Sequence, residues 1–516
     1  MANRLARWLL AQRSSPRLAF LLQIGCRVLT SLFSFLWIPL LLGSMGKALN
    51  GLFLNFQAIA SMGGLGDLGM GGLVSIQTSR LLGQGKDDEL RRFLAAARAF
   101  FGIMALLAGG IFLVIAPGLL RWQKFETVAG AGPLTGLYLF GALAIVLLIL
   151  SSYITNLNYG CGNVVWPVVP VFVIMQLGFL GHWLLAREGV ALWLQYLPYL
   201  TGSVLIFLLG WVWIRLSHPS LDALVPVTFS WRQLLSLAGD SFWVYLYCMA
   251  ASVTGTVSGM LITAGFGPAV LPTYRYNGKL CEVTLFIMVS AGTASLPKIT
   301  QWLASPEPAT RQRALREAER LNQFQTLLGC AGALGYLAVN DWFIEFWLGK
   351  SLHAPLSWQA AFACSLAVSC AGQVGFDLAA RCCDQGIRVG GVAAALMALL
   401  NLGLSLVALK LGSVFGIALA GVISQSAVAL GLGWYSCRQI KTSWWRLSLR
   451  NWLLALAATG LGVTMRVLLP VHSVLTGGLT AGVFLATIVL ISFLLGIKVA
   501  DVRQEFAIVR SIFKSV

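Results

Sequence analysis

The chain has 516 residues, of which 58% are hydrophobic and only 10% are charged, and its mean hydropathy is +0.82. Soluble proteins have charged side chains at about a quarter of their positions, so this composition excludes a soluble globular protein and predicts helices that cross a lipid bilayer. The net charge of +18 does not indicate nucleic-acid binding, because the Lys and Arg residues form no basic run interleaved with stacking aromatic residues.

Fourteen apolar segments, each long enough to cross the membrane as a helix, follow one another along the sequence. Spans 1 to 14 are predicted at residues 18–43, 48–75, 93–119, 133–157, 163–185, 190–216, 233–265, 269–296, 321–348, 356–380, 389–410, 413–436, 450–470 and 474–497. The basic N-terminal tail is followed by an apolar segment without a small-residue cleavage site, so we expect a retained first helix. The predicted fold class is an all-α polytopic membrane protein with about 14 transmembrane helices.

The basic residues predict the orientation of these spans. With the N-terminus in the cytoplasm, 26 of the 36 Lys and Arg residues fall in cytoplasmic segments and six in outer loops, which is the bias of the positive-inside rule. An even number of spans then places both termini in the cytoplasm. The loops are too short for a nucleotide-binding domain and contain no phosphate-loop motif, so we expect no ATP hydrolysis on this chain.

Residue types that are common in enzymes and metal proteins are scattered. The ten cysteines form no CxxC pair and no Cys/His cluster with metal-ligand spacing, which indicates neither a disulfide framework nor a metal site. The four histidines are interpreted as isolated residues near loops; they are His182, His218, His353 and His472. No catalytic Ser/His/Asp arrangement or pair of catalytic carboxylates is present, so we expect neither an enzyme nor a bound cofactor.

Two segments that begin about 220 residues apart resemble each other. The first, LLLGSMGKALNGLFLNFQAIAS, follows span 1, and the second, LITAGFGPAVLPTYRYNGKLCE, follows span 7. Each has a glycine at the outer turn, then a helix interrupted by polar residues, and later a basic amphipathic segment. Six helices separate them, so the two units have the same orientation, as in transporters with parallel repeats. Shared membrane composition is the alternative explanation of this similarity.

The repeat predicts the domain organisation. We expect an N-lobe of helices 1–6 at residues 1–218 and a C-lobe of helices 7–12 at residues 231–436. Residues 437–516 would then contribute helices 13 and 14 and a cytoplasmic C-terminal tail.

Several short motifs occur in an order that resembles one family. They are Leu42-Gly43, Gly66-Asp67-Leu68-Gly69, Leu296-Pro297-Lys298-Ile299, the segment EFWLG at 345–349, GSVFGIALA at 412–420 and ISQ at 423–425. Over residues 1–436 this set is similar to that of O-antigen (Wzx-type) lipid flippases, in the polysaccharide-exporter branch of the multidrug/oligosaccharidyl-lipid/polysaccharide (MOP) superfamily.

The resemblance implies two six-helix lobes in a V, with helices 13 and 14 at the periphery. It also implies that the protein moves an undecaprenyl-diphosphate-linked oligosaccharide, such as an O-antigen or exopolysaccharide repeat unit, across the bacterial inner membrane by alternating access. Other polysaccharide-assembly proteins would be its partners.

A diphosphate headgroup can cross an apolar layer only through a polar, cationic cavity, so charged residues within the spans are the candidate site. Arg27 in span 1 can bind a phosphate through two hydrogen bonds, or it can form an ion pair with Asp67 of span 2. Asn55 and Gln57 add to the polar face of span 2. The many glycines of span 2 allow either close helix packing or a gating hinge.

Span 8 carries the second half of the candidate site. Arg275, Lys279 and Glu282 are spaced i, i+4 and i+7, which predicts that they share one helical face, and Asn277 lies between the two cations in sequence. Both cations are expected to line the cavity, although Arg275 could instead extend to the outer interface. Glu282 is expected to neutralise Lys279; the alternative is that it takes up H⁺ or Na⁺ to drive transport.

The substrate class is narrowed by the same resemblance. Related peptidoglycan-precursor flippases place arginines on helices 1, 2 and 8, and Arg27 and Arg275 match two of those positions. Span 2 has Asp67 and no arginine, and this departure argues against the peptidoglycan precursor as substrate.

Other charged residues are open to two interpretations. Asp240 is either a site residue or a partner of Arg232 near the membrane surface. A set at the inner end of span 10 is interpreted as a structural salt-bridge cluster; it consists of Asp377, Arg381 and Asp384.

Two other functions stay open at the level of the sequence. One is a cation-coupled multidrug (MATE-like) antiporter of the same superfamily, and the other is a non-transporting scaffold of a polysaccharide-synthesis complex. The drug antiporters usually have twelve helices and acidic, aromatic cavities, whereas the candidate cavity here is net positive and two further helices are present. These features favour the flippase.

Overall fold

A computed structural model describes residues 16–62, 69–128, 130, 132–163, 168–218, 221, 242–243, 246, 256–285, 299, 302–303, 307–382, 386–468 and 474–496. These residues are 91% helical and contain no strand, which confirms the predicted all-α polytopic fold. Within the described residues, ten helices are long and apolar enough to cross a membrane. The chain is therefore a multi-pass membrane protein.

The first seven helices cover spans 1 to 6. They are α1 (Pro16–Met62), α2 (Met70–Gly83), α3 (Asp87–Trp122), α4 (Leu134–Gly160), α5 (Val168–Arg187), the single turn α6 (Leu192–Gln195) and α7 (Leu197–Ser217). A short 3₁₀ helix, Phe125–Thr127, follows α3.

The remaining helices cover spans 7 to 14. They are α8 (256–266), α9 (Val270–Asn277), α10 (279–285), α11 (Pro308–Leu348), α12 (Leu356–Cys382), α13 (Gly386–Lys410), α14 (Val414–Ile440), α15 (Arg450–Leu468) and α16 (Val474–Leu495). A 3₁₀ helix, Lys350–Leu352, follows α11, and a π-helix, Trp445–Leu449, precedes α15.

The order of elements supports the internal repeat. Gly46 interrupts α1 with φ of 71°, and Gly267 separates α8 from α9 with φ of 90°, so each predicted outer turn has a glycine in the left-handed region. The long helix α3 is followed by a 3₁₀ helix and then α4, just as α11 is followed by a 3₁₀ helix and then α12. The same sequence of local structures therefore occurs twice along the chain.

The chain divides into two compact units, Met1–Leu271 and Pro272–Val516. The lobe boundaries predicted from the sequence stay a prediction, because most residues between 219 and 255 lie outside the described part. The core of the first unit contains large fully buried side chains such as Phe56, Phe101 and Ile149.

In the second unit, α11, α12 and α15 pack closely because small residues lie at their contacts. A Cβ on Gly462 of α15 would come within 3.0 Å of Leu334 and Leu337 of α11. The Ser448 hydroxyl of the π-helix lies against Gly375 of α12 and Gly433 of α14. The π-helix, which begins span 13, therefore packs between Gly375 and Gly433 of the preceding helices.

The outward faces of these helices are apolar. Val114, Phe346, Leu411 and Phe493 are each more than three-quarters exposed. In a multi-pass membrane protein, such side chains are expected to face lipid tails rather than water.

Candidate functional site

The candidate residues of span 8 lie on both sides of a turn at Gly278 rather than on one continuous helix. α9 ends at Asn277, Gly278 forms a turn, and α10 begins at Lys279, with the Glu282 amide donating to the Gly278 carbonyl at 3.1 Å. The prediction that one continuous helical face carries Arg275, Lys279 and Glu282 is therefore wrong at Gly278. The physical reason is that glycine is a poor helix former, so this position is a natural place for an interruption.

Lys279 and Glu282 form an ion pair within α10. The Lys279 ammonium donates to the Glu282 carboxylate at 2.7 Å, with 27% and 51% of the two side chains exposed. The pair has the geometry expected for neutralisation of Lys279, and it lowers the cost of holding a cation within a span. Because the carboxylate is half exposed, the ammonium can exchange it for another anion. Arg275, on α9, is half-buried and has interaction partners.

Asn277 is fully buried, and its amide is bonded to protein groups. Its Nδ2 donates to the carbonyls of Thr273 and Leu352, both at 2.8 Å, and its Oδ1 accepts from Asn340 at 3.0 Å. The side chain thus joins α9 to α11 and to the 3₁₀ helix after α11. Its predicted role as a cavity residue stays a prediction.

In the first unit, Asn55 makes a similar connection. It is fully buried and donates to the side-chain oxygen of Gln123 at 2.9 Å, which joins span 2 to the end of α3. Gln57, two residues later, is half-buried. The other candidates of this half fall outside what the structure describes: the backbone at Arg27 is helical but its side chain is not among the described ones, and Asp67 lies in the gap at 63–68.

The remaining charged candidates are only partly described. Asp240, Arg232 and Asp384 lie outside the described residues, and so does the Arg381 side chain. Asp377 is half-buried and accepts from Gln373 at 3.1 Å. The salt-bridge cluster predicted at this end of span 10 stays a prediction.

Sequence reasoning missed a polar stripe on α12. Ser365, Ser369, Gln373 and Asp377 follow at intervals of four residues, and all four are half-buried. Both serines donate to the side-chain oxygen of Gln425 on α14, at 3.2 and 3.0 Å. The signal was present in the sequence, because an i+4 polar repeat inside an apolar span indicates a single polar face.

Sequence reasoning also missed an ion pair that joins α15, the helix of span 13, to α11. Arg466 of α15 donates to Asp341 of α11 at 2.5 Å, and Gln359 of α12 donates to the other carboxylate oxygen at 2.6 Å. Only 11% of the Arg466 side chain is exposed. An arginine near the end of a span was visible in the sequence, but its partner lies 125 residues away.

The interpretation of His182 as an isolated residue near a loop is wrong. The imidazole is fully buried, its Nε2 lies 3.2 Å from the Gln195 side-chain oxygen, and its Nδ1 lies 3.1 Å from the Tyr199 hydroxyl. Gln195 donates to the Val190 carbonyl at 2.6 Å, so its oxygen faces His182 and can only accept. Nε2 therefore carries the proton, and Nδ1 accepts from Tyr199. Short-range sequence patterns do not show such partners, because they come from α6 and α7, the two helices that follow.

No protein-family model and no curated protein matches the chain. Among solved structures, the lipid II flippase MurJ in an inward closed conformation matches with a TM-score of 0.63, 14% identity and coverage of 92% of this chain and 98% of its own. The chain therefore shares the fold of this solved structure. An inward-facing multidrug resistance MATE family transporter of the MOP superfamily matches with a TM-score of 0.50, 13% identity and coverage of 84% and 98%. These neighbours are transporters and flippases rather than enzymes.

Proposed function

We propose that the protein is a flippase that moves an undecaprenyl-diphosphate-linked oligosaccharide across the bacterial inner membrane. The observation that carries this proposal is Lys279, a half-buried cation at the break in span 8 of a chain whose fold is similar, over 92% of its length, to that of a lipid II flippase. A cation held within a membrane span is usually functional. The headgroup of the proposed substrate is a diphosphate, for which an ammonium is a suitable ligand.

The Lys279–Glu282 pair explains how the cation is neutralised when no substrate is bound. With Glu282 at 2.7 Å the pair is neutral, so Lys279 has an anionic partner when no substrate is bound. A diphosphate carries more negative charge than one carboxylate and competes for the ammonium. The exchange releases Glu282, whose side chain is already half exposed. Arg275 on α9 supplies a second cation, and Arg27 is proposed as a third.

A driving ion belongs to the same proposal. Glu282, once released from Lys279, is a carboxylate that can take up H⁺ or Na⁺. Asp377, at the end of the polar stripe on α12, is a second carboxylate of this kind. Both termini are proposed to lie in the cytoplasm, and other polysaccharide-assembly proteins are proposed as partners.

Translocation by the purified protein in liposomes tests the proposal, with an undecaprenyl-diphosphate-linked oligosaccharide as substrate and complementation of a flippase-deficient strain as the cellular readout. Lys279→Gln removes a charge-assisted hydrogen bond to the phosphate, so we expect the rate to fall by about ten-fold or more. Arg27→Ala and Arg275→Gln should each reduce it as well.

Lys86→Gln is the matched control. Lys86 forms an i,i+3 ion pair with Glu89, as Lys279 does with Glu282, but both side chains are at least half exposed at the start of α3. We expect no more than about a two-fold change for this variant, because exposed pairs contribute little. If the Lys279, Arg275 and Arg27 variants all translocate like the parent while correctly inserted, the cationic site is wrong.

The second candidate is a cation-coupled multidrug antiporter, which the likeness to a MATE transporter favours. The charges of α9 and α10 argue against it, because Arg275, Lys279 and Glu282 leave one net positive charge, which repels organic cations. Export of an organic cation by the liposomes, without translocation of the glycan lipid, would support the antiporter. Neither activity would be expected of a scaffold.

A further inference from the structure

Asn277 and Asn340 form a buried bridge whose atoms can be assigned without ambiguity. The Asn277 amide has carbonyl oxygens of Thr273 and Leu352 on one side, and a carbonyl can only accept, so Nδ2 must face them. Oδ1 then faces Asn340, which must present its Nδ2 as the donor. The orientation of both side-chain amides is therefore fixed.

The bridge fixes the end of α9, one residue before the break in span 8. Three hydrogen bonds of 2.8 to 3.0 Å hold Asn277 to α9 itself, to α11 and to the 3₁₀ helix after α11. Both asparagines are fully buried, so these bonds are shielded from competing water. Aromatic contacts add to this anchor, since Tyr274 packs edge-on against Phe362 of α12 at 5.0 Å.

Lys279 is separated from this anchor by Gly278 alone. A glycine allows more backbone conformations than any other residue, so nothing in Gly278 itself determines where the next helix begins. The direction in which α10 leaves the anchor, and thus the place of the ammonium, depends on how firmly Asn277 is held as well as on the packing of Cys281 in the core.

We propose that Asn277 and Asn340 are positioning residues that hold Lys279 in place, and that Asn277 is not itself a ligand of the substrate. A buried amide with all its hydrogen-bonding groups engaged has nothing left to offer a phosphate, whereas a displaced cation binds poorly. The consequence for transport rests on the proposed function, but the position of residue 279 can be measured without it.

The first experiment measures that position by thiol modification. In the full-length Lys279→Cys protein, the rate of reaction with a charged thiol reagent is compared with and without Asn340→Leu, after the rate of the parent chain is subtracted. We expect a change of about three-fold or more, because loss of the donor leaves the buried Asn277 oxygen unpaired and releases the anchor. Asn340→Asp is the second variant, since it keeps the volume but places two acceptors opposite each other.

Gln123→Leu in the same background is the matched control. It breaks the hydrogen bond between the side-chain amides of Gln123 and Asn55. This bond has the same chemistry and the same complete burial as the Asn277–Asn340 bond, but it joins span 2 to α3. We expect the modification rate at position 279 to stay within about 1.5-fold of its reference, since local anchors act locally. An unchanged rate for both Asn340 variants would overturn the proposal. Loss of the fold in both would also overturn it, because the bridge would then be a general determinant of folding.

The second experiment connects position to substrate. Undecaprenyl diphosphate binding in detergent is compared for the parent, Asn340→Asp, Lys279→Gln and the double variant. If Asn340 acts through Lys279, its effect on the dissociation constant should disappear once Lys279 is absent. Equal effects of Asn340→Asp in both backgrounds would contradict this coupling. If the parent binds no undecaprenyl diphosphate, the proposed function fails, while the thiol rates still decide the positioning role.

Discussion

The two units share a scaffold but differ in the chemistry of their interiors. Each has a buried hydrogen bond between two side-chain amides that joins the second span of its repeat to the third. The partners are Asn55 and Gln123 in the first unit and Asn277 and Asn340 in the second. In the first unit, the cluster centred on His182 is held by neutral hydrogen bonds. In the second unit, by contrast, Asp341 and Arg466 form a half-buried ion pair.

This difference involves a helix of the second unit that lies outside the repeat. Arg466 lies on α15, which is outside the repeat, whereas its partner Asp341 lies on α11, which belongs to the repeat. A charge inside a span is tolerated when a partner neutralises it. In addition to close packing, the second unit therefore holds this helix through an ionic contact, and its stability should depend on charge where that of the first unit depends on neutral groups.

The largest effect is expected from Arg466→Met. The change leaves the Asp341 carboxylate without its cation and should lower the free energy of unfolding by about 3 kcal/mol. Asp341→Leu combined with Arg466→Met removes both charges and should recover most of that loss. Thermal unfolding in detergent measures both, and an equal loss in the single and double variants would show that side-chain volume, not charge, matters here.

The next effect tests a feature that the units share, namely glycines at helix contacts. Gly329→Ala places a methyl group against Cys370, and Gly160→Ala in the first unit places one 2.7 Å from Thr78. Each should cost about 1 to 3 kcal/mol through overpacking. Gly335→Ala, on the same helix as Gly329, has no neighbour within 4 Å and should be nearly neutral. If Gly335→Ala were as damaging as Gly329→Ala, close packing would not be the cause.

A smaller effect is expected from His182→Phe in the first unit. The ring shape is kept and still packs on Phe53, but the Gln195 oxygen and the Tyr199 hydroxyl lose their partner, which should cost about 1 to 2 kcal/mol. His182→Gln retains hydrogen-bonding groups and should lose less. The ranking is measured by thermal unfolding, and a reversed ranking would mean that ring packing outweighs the hydrogen bonds.

The smallest effect is expected from Arg121→Gln. Arg121 and Glu126 form an ion pair at 3.4 Å in the first unit, but 71% and 57% of their side chains are exposed. We expect a change below about 0.5 kcal/mol, and the comparison with Arg466 is sharpened if high salt abolishes even that. A loss similar to that of Arg466→Met would remove the contrast between the two units.

Apolar periodicity and length were sufficient to predict the fold. Each of the fourteen predicted spans contains helix, and Gly46 and Gly267 turn the chain where the repeat predicted. Within the described residues, ten helices meet the length and hydropathy of a membrane span, because α1 holds spans 1 and 2 together and because only parts of spans 7, 8 and 14 are described. Polar residues and glycines in span 8 are the physical cause of its interruption.

The candidate site could be predicted only in part. The Lys279–Glu282 pair followed from local spacing, because residues three apart on a helix are neighbours. The Asn277–Asn340 bridge and the Asp341–Arg466 pair did not, because their members are 63 and 125 residues apart. A periodic pattern identifies the face of a helix but not which distant helix packs against it.

The contacts that α15 and the preceding π-helix make with the earlier helices have a consequence for the evolution of the chain. If translation stopped after residue 436, Asp341 would lose its cation and keep only the hydrogen bond from Gln359, the Asn322 amide would lose its bond to the Leu447 carbonyl, and the gap between Gly375 and Gly433 would stand empty. A shorter ancestor could not have carried these residues without penalty. We therefore expect Asp341 and Asn322 to occur together with α15 in related chains, and a twelve-helix derivative that keeps both to be less stable than one that replaces them.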